Sequence, residues 1–297
     1  MSARAYVVPP PLRRGDRVVV IAPASPVPRL ELFRGLGWLR ERYDVRMSAG
    51  VLARAGYLAG DDARRAAELE RALLDPDARA VIAARGGYGI TRIAPSMPWE
   101  RFARAPKWIS GFSDVTALHA ECLRVGVAAA HAPNVTGLGR ADPWDRAAFM
   151  AALERPERPR TWTLETVVAG RARGPIVGGN LALVVAQATA GRWDVPDGAI
   201  VALEDVTERP YRVDRMLTSL APHLARAGAL VFGAFTECEP GPDGVTVEAV
   251  LRERARALGL PAAMGAPFGH GARNEAFVLG RACALDAADD GAALTFL

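Results

Sequence analysis

The chain is expected to be an α/β protein whose first half is built on a parallel sheet, and two observations predict this. Short β-branched runs alternate with amphipathic stretches through the first 130 residues or so. The runs are apolar throughout rather than alternating, which is the signature of strands buried on both faces. Strand–helix alternation at this spacing implies right-handed crossovers and helices on both sides of the sheet.

RVVVIAPA (17–24) is the first strand, ending in Pro and Ser, and a helix is expected within 28–42. DVRMS (44–48) reads as a second strand. Asp61 and Asp62 then open a helix whose Ala66, Leu69 and Leu73 share a face, and Asp75-Pro76 stops it. ARAVIAA (78–84) is a third strand running into RGGYG. KWISGF (107–112) is a fourth, followed at once by a helix over 114–125, and VAAAHA (127–132) is a fifth. Residues 139–173 lose the rhythm: one short helix is followed by prolines and charge, so the stretch reads as a connector between an N-terminal domain (1–138) and a C-terminal one (174–297). The rhythm resumes with a helix in GGNLALVVAQATAG, a strand over 198–206, a helix over 210–227 with Val213, Leu217, Leu220 and Leu224 inward, a strand over 229–237 and a helix over 245–258. The tail reads as a hairpin turning at Asp289-Asp290-Gly291.

Composition excludes several functions. The net charge of +4 comes from arginine, since Lys107 is the only lysine. It has no glycine loop before it, which excludes a Walker-type phosphate loop. The arginines alternate with acids, as in DDARRAAELERAL, a pattern of solvated helix faces rather than of a nucleic-acid stripe. No run of about 18 apolar residues suggests a membrane span. The prolines of MSARAYVVPPPLRRGD interrupt any signal-peptide core, so a cytoplasmic location is expected. Cys122, Cys238 and Cys283 are odd in number and lack CxxC spacing, which suits reduced structural thiols. No metal motif of the HxxxH or HExxH kind occurs, so no metal site is expected.

Chemistry has three places to sit. In GFSDVT (111–116), Ser113 occupies a strand-to-helix turn, where its hydroxyl would project above the sheet and the helix N-terminus would offer N–H groups to an oxyanion. Serine is equally a favoured N-cap, and the local sequence leaves both roles open. In GHGARNE (269–275), His270 lies between glycines that let the backbone present the ring, as a general base requires; a satisfied loop histidine is the alternative. His119 reads as a helix-face residue, His223 as exposed, and His131 as ending a strand near Ser113. In VALEDVTERPY (201–211), Glu204 and Asp205 end an apolar strand where a carboxylate could orient a histidine, with Glu208 as a rival. Gly86 and Gly87 of RGGYG permit close backbone approach, suiting an oxyanion hole, a tight turn or a phosphate cradle.

Taken in order, IAPASP, GYLAGDDARRAAEL, ARGGYG, WISGFSDVTALH, GGNLALV, LEDVTERPYRVDRML and PFGHGARNEAFVLG resemble the LD-carboxypeptidase family of serine peptidases across nearly the whole chain. That family includes muramoyltetrapeptide carboxypeptidases and microcin C immunity hydrolases. The resemblance implies a flavodoxin-like N-terminal domain, a smaller α/β C-terminal domain and an active site in the cleft between them. It places the nucleophile at Ser113, the base at His270 and the acid at Glu204 in preference to Glu208. It puts the oxyanion donors at the backbone N–H groups of Gly87 and Asp114. The free carboxylate of a carboxypeptidase's substrate should meet an arginine or backbone amides, and Arg85 and Tyr88 are taken as the substrate-binding residues. The implied activity is release of terminal D-alanine from murein tetrapeptide during cell-wall recycling, by a homodimer with no nucleic-acid or membrane partner, through a triad that needs no organic cofactor. The alternatives are hydrolysis of an acyl-adenylate or acyl-sulfamate antibiotic, and a non-catalytic ligand-binding module. Two positions depart from the family pattern: Ala132 stands where Gly is usual, and Phe277-Val278 where Leu-Pro is usual.

Overall fold

A computed structural model describes residues 5–297. The chain divides into two compact units, one made of 6–156 with 275–278 and the other of 157–274 with 279–297.

The first unit runs β1 (Arg17–Ile21), α1 (Arg29–Arg40), β2 (Asp44–Met47), α2 (Asp62–Leu74), β3 (Ala78–Ala83), α3 (Ile90–Ile93), α4 (Trp99–Arg104), β4 (Trp108–Gly111), α5 (Thr116–Arg124), β5 (Ala129–His131), α6 (Val135–Leu138) and α7 (Pro143–Glu154). A late strand, Phe277–Leu279 (β11), joins its sheet, whose order is β11-β5-β4-β3-β1-β2. The pairs from β2 to β5 are all parallel, in registers such as Val20 with Met47, Ile82 with Ser110 and Gly111 with His131. Strand order 2-1-3-4-5 places the carboxyl ends of β1, β3 and β4 side by side, the edge where doubly wound sheets hold their ligands. Val18, Val20, Ala80, Ile82 and Trp108 share a core with Leu32, Leu36 and Leu39 of α1.

One local expectation is corrected in α2. Asp61 caps the helix as expected, its carboxylate accepting Arg64 N at 2.7 Å. The buried face, however, is Arg65, Glu68, Leu69, Ala72 and Leu73, so two of the charges read as solvated are inside. They are held by backbone acceptors and donors near β1, which sequence periodicity does not reveal.

The second unit contains β6 (Arg160–Val168), β7 (Gly170–Asn180), α8 (Leu181–Thr189), β8 (Ile200–Val206), α9 (Pro210–Leu224), β9 (Ala229–Thr236), α10 (Val247–Leu258), β10 (Ala262–Met264), β12 (Ala282–Ala288) and β13 (Gly291–Phe296). Its strands close into a barrel in the order β10-β6-β13-β12-β7-β8-β9. β7, β8, β9 and β10 are parallel, and β8 is buried almost residue after residue, as a strand covered on both faces must be. β6 instead alternates buried and exposed residues in an antiparallel pair with β13. The closing hairpin of β12 and β13 turns where Ala288 faces Gly291. Barrel closure goes beyond the α/β expectation. Residues 139–173, expected to be a connector with one short helix, hold that helix as α7 and add the unexpected strand β6, with the change of unit between 156 and 157: Asp142 caps α7 through Asp145 N, and Thr161, Thr163 and Glu165 supply the polar half of the β6 alternation. Among the described residues no helix is long and apolar enough to cross a membrane.

Candidate active site

Ser113 sits at the end of β4 with φ 65, in the left-handed region that a residue with a Cβ rarely occupies. The backbone is forced there because β4 must turn into the 3₁₀ segment 113–115 and α5 within two residues. Asn134 fixes the turn from the neighbouring loop, its Oδ1 accepting Phe112 N at 3.2 Å. The RGGYG loop runs against the serine: a Cβ on Gly86 would lie 2.9 Å from Ser113 Cβ and 3.1 Å from its Oγ. Gly87 has φ 114, and a Cβ there would collide with Ser25 Oγ, so only glycine fits. Ser25 accepts Tyr88 N at 3.1 Å on Oγ and donates its own N–H to Gly86 O at 3.3 Å. Thus Ser113, Asp114, Gly86 and Gly87 come together at one sheet edge.

Asp114 is 1 % exposed, and its Oδ2 accepts Ile90 N at 2.9 Å. Burial pushes its carboxyl up to about 7, against the pull of the Ile90 N–H and the charge of Arg65. The folded state therefore holds this proton more tightly than the unfolded chain, and stability from this group falls as pH rises from about 4 to about 7. Asp114→Asn keeps an oxygen for Ile90 N and removes the titration. Its unfolding free energy relative to wild type is expected to rise between pH 5 and pH 8 by about 2.5 kcal/mol. Denaturant midpoints giving the same difference at both pH values would refute this.

Arg85 is exposed and donates to Pro26 O at 2.7 Å. Tyr88 is exposed, its ring 5.8 Å from that of Tyr57. His131 and His119 are fully buried. His131 stacks on Phe277 at 5.0 Å, which explains an aromatic where the family pattern has Leu. Burial takes His119 down to about 3, so it stays neutral.

In the second unit Glu204, fully buried at the carboxyl end of β8, accepts from His270 Nδ1 at 2.8 Å. Neighbouring strand residues face opposite ways, so Asp205 points elsewhere. It accepts Asn180 Nδ2 at 2.9 Å and Ala182 N at 3.0 Å, tying down the start of α8. Glu208 pairs with Arg212 at 3.6 Å. The loop carrying His270 is held on β9, where Ala234 N donates to Phe268 O at 2.9 Å, and by Asn274 Oδ1, which accepts Gly269 N at 3.1 Å. Gly269 has φ 108, and a Cβ would lie 2.7 Å from Glu204 Oε2, so the glycine lets the ring reach the carboxylate. With Nδ1–H donated to Glu204, Nε2 is the basic nitrogen. Burial lowers the imidazole pKa, but the Glu204 hydrogen bond and charge, with Asp205 and Glu237, prevail and raise it above the ordinary value.

A strained serine at a strand-to-helix turn beside a glycine loop in one unit, and a histidine oriented by a buried carboxylate in the other, are each features of the kind that serine hydrolases use. Residues 18–132 match the LD-carboxypeptidase N-terminal domain and residues 173–285 the LD-carboxypeptidase C-terminal domain. The chain belongs to the LD-carboxypeptidase family. The murein tetrapeptide carboxypeptidase of Pseudomonas aeruginosa is 34% identical over 285 residues, 91% of this chain and 93% of that protein. The crystal structure of muramoyltetrapeptide carboxypeptidase from Oxalobacter formigenes superposes with a TM-score of 0.85 at 28% identity, covering 94% of this chain and 98% of that one. The microcin C7 self-immunity protein MccF in complex with aspartyl sulfamoyl adenosine shares the fold, with a TM-score of 0.87 at 19% identity over 98% of each chain.

The residues that sequence reasoning missed are Ser25, Arg65, Asn134 and Asn274, which hold the loops around the candidate residues. Ser25 and Asn274 fall within the family motifs IAPASP and PFGHGARNEAFVLG, but their partners are backbone groups, which leave no mark in a sequence.

Proposed function

We propose that the protein is a serine LD-carboxypeptidase that removes the terminal D-alanine of murein tetrapeptide. Ser113 attacks the carbonyl joining an L-configured centre to D-alanine, and His270 Nε2 takes its proton. Glu204 holds the ring in the required tautomer and offsets the imidazolium charge. The N–H groups of Gly87 and Asp114 receive the oxyanion. His270 then protonates the departing amine, and water, deprotonated by the same nitrogen, releases the tripeptide from the ester. Arg85 takes the terminal carboxylate, with Tyr88 beside it. The reading draws its nucleophile from one unit and its base and acid from the other. A homodimer and a cytoplasmic location belong to the same proposal.

The observation that carries it is the left-handed backbone at Ser113, shared only with Thr207 and Glu237 among the described non-glycine residues, because strain of this kind clusters at active sites and here it falls on a serine at a strand-to-helix turn. The relative from Pseudomonas aeruginosa, named for murein tetrapeptide, supports the substrate. Mass spectrometry of tetrapeptide incubated with the protein is expected to show loss of one alanine and no further trimming. Intact tetrapeptide after prolonged incubation, with cleavage of an aminoacyl sulfamoyl adenosine instead, would overturn the substrate assignment.

A further inference from the structure

The loop that carries Gly87 is soft by composition: Gly87 and Gly89 have φ 114 and 121, conformations with little intrinsic preference to hold them. Something else must decide where the Gly87 N–H points. Ser25 grips the middle of the loop. The far end is gripped from below by α2. The Arg65 guanidinium, with no exposed side-chain surface, donates through Nη1 to Gly89 O at 2.8 Å and to Pro23 O at 2.5 Å, and through Nη2 to Asp62. Pro23 lies two residues before Ser25, so one side chain ties together the two loops whose contact shapes the turn at Gly87. The next residue, Ile90, is held by Asp114, the residue after the serine.

Burying a cation is costly, and a buried ion pair replaced as a whole by well-packed apolar side chains is often as stable or more so. A planar fork with fixed donors does what an apolar group cannot: it sets two carbonyls at one distance from each other. We propose that Arg65 is a positioning residue for the oxyanion-binding loop, fixing the Gly87 N–H by joining Gly89 O to Pro23 O. The inference rests on the serine carboxypeptidase reading above.

The test compares wild type with Arg65→Lys, which keeps the charge and loses the fork. D-alanine release, inhibition by a peptidyl boronic acid that forms a tetrahedral adduct on the serine, and inhibition by product tripeptide are measured. Displacing one oxyanion donor is expected to lower kcat by about 10²-fold and to weaken the boronate by a similar factor. KM and tripeptide affinity stay within about threefold of wild type, because the lost interaction is made only in the transition state. Where the lysine variant does not fold, Arg65→Met fills the space without burying a charge and must show the same split. A folded variant with near-normal kcat, or one in which tripeptide and boronate weaken together, overturns the inference. An active wild type beside unaffected variants overturns this inference alone; a wild type that leaves tetrapeptide intact overturns the functional reading and this one with it.

Discussion

Ser113→Gly is expected to abolish D-alanine release while leaving the protein at least as stable as wild type. The two effects separate because holding a serine here costs backbone strain. At φ 65 the Cβ crowds the neighbouring carbonyl, at about 1 kcal/mol, and glycine has no Cβ to crowd. The hydroxyl is meanwhile the atom that forms the acyl-enzyme, and loss of a nucleophile of this kind costs about 10⁶-fold in kcat. Ser113→Ala should be equally inactive, without the gain in stability. Covalent labelling by a fluorophosphonate should vanish in both. Thermal unfolding and alanine release from murein tetrapeptide, measured on the same preparations, check the pair. Residual turnover above about 1 % of wild type would mean that another group attacks the carbonyl. A glycine variant clearly less stable than wild type would mean that the left-handed turn is not strained.

The first-unit sheet is legible in the sequence because parallel strands buried on both faces write themselves as unbroken apolar runs. RVVVI, ARAVIA and WISG are each a strand within a few residues of the expected bounds. The barrel is not legible. β7 runs through RARGPIVGGN, where glycine and proline suggest a loop, and its antiparallel partner β12 lies far away in sequence. A strand whose stability comes from long-range pairing carries little local signal. The same division holds at the site. Ser113, His270 and Glu204 can be proposed from the sequence because each is chemically marked and locally framed by glycine or by the end of an apolar strand, although that framing alone leaves a cap or a satisfied loop residue open. Arg65 and Glu68 do not stand out, since an arginine and a glutamate on a helix rich in both look solvated. Glu68 in fact accepts Ala22 N at 2.9 Å while Arg65 reaches Pro23 O, so the helix stitches down the loop before Ser25 from within the unit. Charge on an amphipathic helix is ambiguous until its backbone partners are known.

Glu204→Gln is the substitution that separates the orientation of His270 from its mere presence. Glutamine keeps the volume of a fully buried side chain, so the fold has little reason to change. What changes is the hydrogen bond to Nδ1, 2.8 Å in the native arrangement. An amide can offer its N–H to the ring and select the tautomer with Nε2 protonated, which cannot accept the serine proton. The matching change in a serine-protease triad lowers kcat about 10⁴-fold, and a loss of about 10³- to 10⁴-fold is expected here. The pH profile gives an independent sign. Burial lowers the His270 pKa and the Glu204 hydrogen bond and charge raise it above 6.5, so the acid limb of kcat/KM lies above pH 6.5 in wild type. Without the carboxylate the burial effect prevails and the limb moves below its wild-type position. Stability follows the same sign. In wild type the raised pKa contributes stability that is fully present below pH 6.5 and lost as pH rises through the folded value. In the variant that contribution is gone, so its unfolding free energy relative to wild type should improve from pH 5.5 to pH 8.5. Activity within tenfold of wild type, with an unmoved acid limb, would show that the proton relay does not depend on this carboxylate.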